Sequence, residues 1–157
     1  MDILSASSYA SKIAWYENDG KENFTPHLIT NQAIGASSLY PADIDKDGDI
    51  DFVTASGRNN AKISWHENNG SQSFTSRTVA SLGTNSGAYG VYSIDIDKDG
   101  DYDIITSFGD GDKIVWYENN GSQSFTSHTI TTNADGAVSV FAVDIDNDGD
   151  IDVLSAS

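Results

Sequence analysis

An all-β fold of repeated four-stranded antiparallel sheets follows from three features of this 157-residue sequence. The first is self-similarity at a period of about 50 residues, the mark of a repeat architecture. "KIAWYENDG" (12–20), "KISWHENNG" (62–70) and "KIVWYENNG" (113–121) align without gaps and place Trp15, Trp65 and Trp116 in register. The second is patterning. Short runs of β-branched and aromatic residues alternate with Gly, Asn and Ser clusters, and no run carries a helical period long enough for a helix. The third is an acidic loop that recurs at the same place in each repeat: "DIDKDGDID" (43–51), "DIDKDGDYD" (95–103) and "DIDNDGDID" (144–152).

Each element of a repeat can be justified from the unit beginning at residue 88. "AYGVYSID" reads as strand A, and the acidic loop follows it. "YDIITS" is strand B, "KIVWYEN" strand C and "FTSHTIT" strand D. The Asn-Gly pair between C and D permits the positive φ of a tight hairpin turn. All connections are short, so neighbouring strands run antiparallel. Pro41 falls in the first strand A, a position a sheet tolerates only at its edge. The strand order along the chain is B-C-D, A-B-C-D, A-B-C-D, A-B. The ends duplicate each other, since "DILSAS" (2–7) matches "DVLSAS" (152–157).

In strand C, Ile114 and Trp116 face one way and Val115 and Tyr117 the other. Both faces are apolar, so both are expected to be covered. Strand A is rich in small residues (Ala88, Gly90, Ser93; Ala137, Ser139, Ala142), which suit a crowded inner strand. Sheets stacked face to face around an axis meet both demands, and these are β-propeller blades. A β-sandwich could use the same strands but leaves the period unexplained. Residues 1–157 are thus predicted to form one propeller-repeat domain. Its repeats run over approximately 2–50, 51–102 and 103–151, with a duplicated strand at 152–157. Three blades are too few for a ring of four to eight. The expectation is therefore a homodimer that closes a six-bladed ring, strand A of one chain completing the first blade of its partner.

The chain carries 24 acidic and 8 basic side chains, for a formal charge of −16. That sign excludes nucleic acid and anionic membrane surfaces as partners. There is no cysteine, hence no disulfide framework and no thiolate metal site. No stretch is long and apolar enough to span a bilayer. No signal peptide is present, and Met1 sits on mid-strand sequence, which reads as a fragment of a longer chain.

The acidic loops explain the charge. Carboxylates this close repel one another unless a cation intervenes. The spacing D-x-D-x-D-G-D-x-D offers oxygens at alternate positions, as a hard cation taking six to eight oxygen ligands requires. In the first loop Asp43, Asp45 and Asp47 would give side-chain oxygens, Asp49 its backbone carbonyl, and Asp51 would close the shell. Asp95, Asp97, Asp99, Asp101 and Asp103 are the second set. Asp144, Asp146, Asp148, Asp150 and Asp152 are the third. Calcium is expected, three ions per chain; magnesium demands a tighter six-fold geometry. A helical EF-hand would need glutamate at loop position 12, where Thr54, Thr106 and Ser155 stand instead.

These loops, the "WYENNGSQSFT"-type segment and the apolar run after each loop resemble the FG-GAP/VCBS-type repeat of integrin α-subunit propellers and of many secreted bacterial proteins. The resemblance spans nearly the whole chain. It implies calcium in the A–B hairpins, a propeller fold, adhesion or ligand binding, and a secreted or cell-surface location. The "GAP" triplet of the integrin form is replaced by "TAS", "TSF" and "SAS".

Strand parity puts the calcium loops and the C–D turns at one end of each blade and the variable loops at the other. Variable loops on a rigid frame commonly bind ligands; Tyr9, Arg58, Asn60, Tyr89 and Phe108 are the candidates there. His27, His66 and His128 lack partners in sequence and read as surface or packing residues, so no catalytic residue is assigned. The function expected is a noncatalytic calcium-stabilised scaffold for a protein or glycan ligand. The alternatives are a carbohydrate-binding lectin, a fragment of a secreted polysaccharide-degrading enzyme, or an isolated propeller fragment with no ligand of its own.

Overall fold

The computed structural model describes residues 1–57, 61–83 and 86–157. Strands β1 (Ile3–Ser7), β2 (Lys12–Asn18) and β3 (Phe24–Thr30) form a three-stranded sheet. Four strands form the second sheet: β4 (Ala36–Ala42), β5 (Asp51–Ser56), β6 (Ala61–Asn68) and β7 (Phe74–Gly83). Another four form the third: β8 (Ala88–Ile94), β9 (Asp103–Phe108), β10 (Lys113–Asn119) and β11 (Phe125–Thr131). The chain ends in a ladder of β12 (Ser139–Val143) and β13 (Asp152–Ala156). Every pairing is antiparallel, and the order reproduces B-C-D, A-B-C-D, A-B-C-D, A-B. Apart from a 3₁₀ turn at Gly109–Gly111, the described residues contain no helix.

Successive A-type strands lie against one another, β4 on β8 and β8 on β12, so they form the inner wall of a propeller-like series. Their equivalent residues Tyr40, Tyr92 and Phe141 make a continuous aromatic row, with ring centroids 4.4 and 4.7 Å apart. Pro41 is accommodated because β4 is the edge strand of its sheet.

Three apolar clusters fill the spaces between sheets. Leu4, Ile13 and Phe52 join the first sheet to the second. Val53, Ile63, Trp65, Ile104, Val115 and Tyr117 join the second to the third. Ile105, Ile114 and Val140 join the third to the terminal ladder. Strand β10 thus buries Ile114 on one face and Val115 and Tyr117 on the other, as the two-sided apolar pattern of strand C requires. At the two ends this covering stops, and Ile3, Phe141 and Leu154 are exposed.

The C–D turn is longer than a two-residue hairpin. It occupies residues 69–73 between β6 and β7, with Gly70 and Gln72 both left-handed (φ 74° and 60°). Asn69 Oδ1 accepts the Ser71 amide at 3.0 Å and so closes the turn. At the opposite end the B–C and D–A connections meet: the Gly57 amide donates to the Gly35 carbonyl, and the Gly109 amide to that of Gly87.

Candidate metal centres

The three acidic loops adopt one backbone conformation. Lys46, Lys98 and Asn147 are left-handed (φ 60°, 64° and 61°), and Gly48, Gly100 and Gly149 have φ of 95°, 94° and 97°. Glycine is required at the second of these positions, because a side chain there would be strained. The turn curls each loop around its first aspartate. Asp43 Oδ2 accepts the Gly48 amide at 3.1 Å, and Asp95 and Asp144 accept those of Gly100 and Gly149 at 3.0 Å. Asp47, Asp99 and Asp148 each accept the amide two residues on, at 2.8, 2.8 and 2.9 Å.

The other oxygen of each first aspartate is the informative atom. Asp43 Oδ1, Asp95 Oδ1 and Asp144 Oδ1 are buried and have no hydrogen-bond partner. An unsatisfied buried carboxylate oxygen costs about 1–3 kcal/mol or more. Its occurrence at one equivalent atom in three loops is therefore a feature of the site. Beside it, carboxylate oxygens of Asp43, Asp45 and Asp51 converge to within 4.8 Å, as do those of Asp95, Asp97 and Asp99 and those of Asp144, Asp146 and Asp152. The donor set is entirely hard oxygen, which fits a calcium-type cation and gives a soft metal nothing to prefer.

Burial disfavours the charged form of the first cluster and of the last aspartate of the second loop. Desolvation raises Asp51 above the usual carboxylate range and pushes Asp103 up to about 6. Asp45 is also raised by burial, with smaller contributions from Asp47, Glu67 and Asp43.

The last aspartate of each loop also has a structural task. Fully buried Asp51 accepts three hydrogen bonds, from the Ile44 amide (3.1 Å), Trp65 Nε1 (2.8 Å) and the Asn68 amide (2.7 Å). It thereby ties the loop to strand C. Asp103 repeats this with Ile96 (3.2 Å) and Asn119 (2.8 Å); Trp116 Nε1 approaches the same carboxylate but lies outside hydrogen-bond geometry. The chain ends split the set between them. Asp152 keeps only the loop contact, with Ile145 at 3.1 Å, and Asp2 only the strand-C contact, with Asn18 at 3.0 Å. The asparagine that ends every strand C (Asn18, Asn68, Asn119) is the sequence signal for this tie.

The carboxylates of the seventh loop position serve a further purpose. Lys46 of the first loop pairs with Asp101 of the second at 2.5 Å, and Lys98 of the second with Asp150 of the third at 2.6 Å. Each carboxylate raises its lysine. The third loop has Asn147 in place of lysine, so this relay of loop-to-loop pairs ends there. Loops and C–D turns share one end of the sheets, as a Cβ added to Gly121 would lie 2.5 Å from Asp101 Oδ2.

The described candidates at the opposite end have different surroundings. Tyr9 is 88% exposed. Tyr89 belongs to β8, and its hydroxyl donates to Asp110 at 3.4 Å. Phe108 is a correction: it is the last residue of β9, is 1% exposed, and packs in the core between the second and third sheets. Arg58 and Asn60 lie outside the described residues. His27 and His128 stack on Trp15 and Trp116, with centroids at 4.3 and 4.6 Å, and each contacts a glutamate. His66 is buried, stacks on Phe52 at 4.4 Å, and is hydrogen-bonded through Nε2 to Thr54 Oγ1 at 3.1 Å.

Comparison with protein families gives one result that covers the chain. The model of the FG-GAP-like repeat matches three times, over residues 1–54, 43–106 and 103–155. No curated protein matches the sequence.

Proposed function

The chain belongs to the FG-GAP-like repeat family, and from that premise we propose that it is a noncatalytic, calcium-stabilised β-propeller-like scaffold for binding or adhesion. The observation that carries the reading is the buried, unpartnered Oδ1 of Asp43, Asp95 and Asp144. Asp43, Asp45 and Asp51 would hold the first ion, Asp95, Asp97 and Asp99 the second, and Asp144, Asp146 and Asp152 the third. A bound divalent cation supplies positive charge where desolvated carboxylates crowd. The chain's own residues do the rest: the left-handed turn gathers the oxygens, and Asp51 and Asp103 fasten loop to strand C.

The noncatalytic reading is supported by the histidines, each of which is engaged in stacking and a hydrogen bond. Ring closure by a second copy is supported by the split contacts of Asp152 and Asp2, which together make up the same two amide contacts that Asp103 makes alone. A calcium titration followed by calorimetry and native mass spectrometry tests both parts. Three ions per chain are expected. Each site stabilises the fold by about 2.7 kcal/mol at a hundredfold excess over its dissociation constant. The assembled mass is expected to be twice that of the 16.8 kDa chain. An unchanged melting temperature between calcium and chelator would falsify the metal reading, and a monomer in saturating calcium would end the dimer.

A further inference from the structure

The space between the first and second sheets differs from the one between the second and third. At the latter, Phe108, Val115 and Tyr117 of the third sheet pack into an apolar core. The equivalent residues of the second sheet are Ser56, Ser64 and His66, and they face the first sheet across a cavity of about 240 Å³. Gln32 closes the first-sheet side, Thr54 lies among them, and further hydroxyls come from β3 and β7. Gln32 and Lys62 also line an adjoining cavity of about 350 Å³ that reaches Ile34 and Gly83 at the variable-loop end.

Two observations say that this cavity is built for a ligand. Ser64 is 1% exposed, and its Oγ has no hydrogen-bond partner, although it sits on the cavity wall. A buried hydroxyl without a protein partner costs free energy that the valine of the third repeat would avoid. Among the described residues Lys62 is the only charged one lining the cavity, and it makes no ion pair with any of them in this strongly acidic chain. His66 beside it is held neutral by burial, with Lys62 lowering it further, and so adds no positive charge. Among the described residues the wall therefore offers one ammonium group, a set of hydroxyls and an amide, and no carboxylate.

We propose that the cleft between the first two sheets binds a small hydroxylated carboxylate, a sugar acid in size and chemistry, with its carboxylate on Lys62 and a ligand hydroxyl on Ser64. The site deepens the binding-scaffold reading and rests on it for a rigid frame, but its residues are separate from the calcium loops. The two ideas fail independently.

The test is a titration in calcium with glucuronate, observed by calorimetry and by amide shifts of residues 62–66. Glucose supplies hydroxyls without charge, and acetate supplies charge without hydroxyls. Glucuronate is expected to bind, with glucose and acetate about tenfold weaker or more. Ser64→Val, the residue of the third repeat, is expected to abolish binding while keeping or raising the melting temperature. Lys62→Met is expected to erase the preference for glucuronate over glucose. The proposal is overturned if glucuronate gives no saturable signal below about 10 mM, if Ser64→Val binds as the parent does, or if glucose binds as tightly as glucuronate. Glucuronate binding that persists with calcium-independent melting would keep this site and remove the metal reading instead.

Discussion

His66 gives the sharpest quantitative prediction. The other two repeats carry tyrosine at this place, Tyr16 and Tyr117. Burial, with a smaller contribution from Lys62, lowers the imidazole from 6.5 to about 4. Between these values the unfolded chain binds a proton that the folded chain refuses. More protons on the unfolded state means that stability rises with pH, and this contribution is lost as pH falls from about 6.5 towards 4. At about 1.4 kcal/mol per pH unit, the loss comes to about 3 kcal/mol. For a chain of this length that is about 6–12 °C in melting temperature. His66→Tyr removes the titration and leaves every carboxylate in place. The assay is therefore the difference between parent and variant, measured by urea or thermal unfolding in steps from pH 7 to pH 4. The parent is expected to lose stability relative to the variant across that window. The histidine ring proton, followed by NMR, is expected to show a midpoint near 4. A difference that stays flat with pH, or a midpoint near 6.5, would refute the burial argument.

Further consequences can be measured on the same protein. In chelator and in the His66→Tyr background, Asp103 reverses the slope. Its folded form keeps a proton up to about 6 while the unfolded form loses it near 3.8, so stability falls as pH rises through that window, by about 2–3 kcal/mol; rising stability would contradict this. Trp65→Phe removes a 2.8 Å donor to buried Asp51 and is expected to cost about 1.5–3 kcal/mol in urea unfolding. Trp116→Phe, which loses no such bond, should cost less. Gly121→Ala places a Cβ 2.5 Å from Asp101 Oδ2 at φ +73°, whereas Gly20→Ala at φ +74° meets nothing within 4 Å. Both carry the left-handed cost of about 1–2 kcal/mol, so the excess for Gly121 in a denaturant midpoint measures the clash alone; equal effects would refute it.

Strands were the most legible part of the sequence, because period-two patterning repeated three times leaves little freedom in register. The edges of β8 to β11 fall within a residue or so of the segments read as A to D. The convergence of three loop carboxylates was equally legible, being local. What escaped depends on other sheets. Phe108 reads as a loop residue because "YDIITS" ends before it, yet β9 runs one residue further and turns its ring into the second sheet. The partner of Lys46 is on the next repeat, Asp101, and nothing in local spacing names it. The cleft arises from substitution within the repeat, and Ser64 and His66 stand out only once the facing sheet is known to leave them room.

The lysine relay gives the molecule a direction. Each loop hands an ammonium group forward to the next, but the third has only Asn147 to offer, and no cation pairs with Asp49 in the first among the described residues. Any junction between two copies would therefore lack the charged clasp present where the second sheet meets the third and the third meets the terminal ladder. Seams of that kind would yield before the two clasped junctions under dilution, and added salt, which loosens the clasps, would leave the seams comparatively untouched.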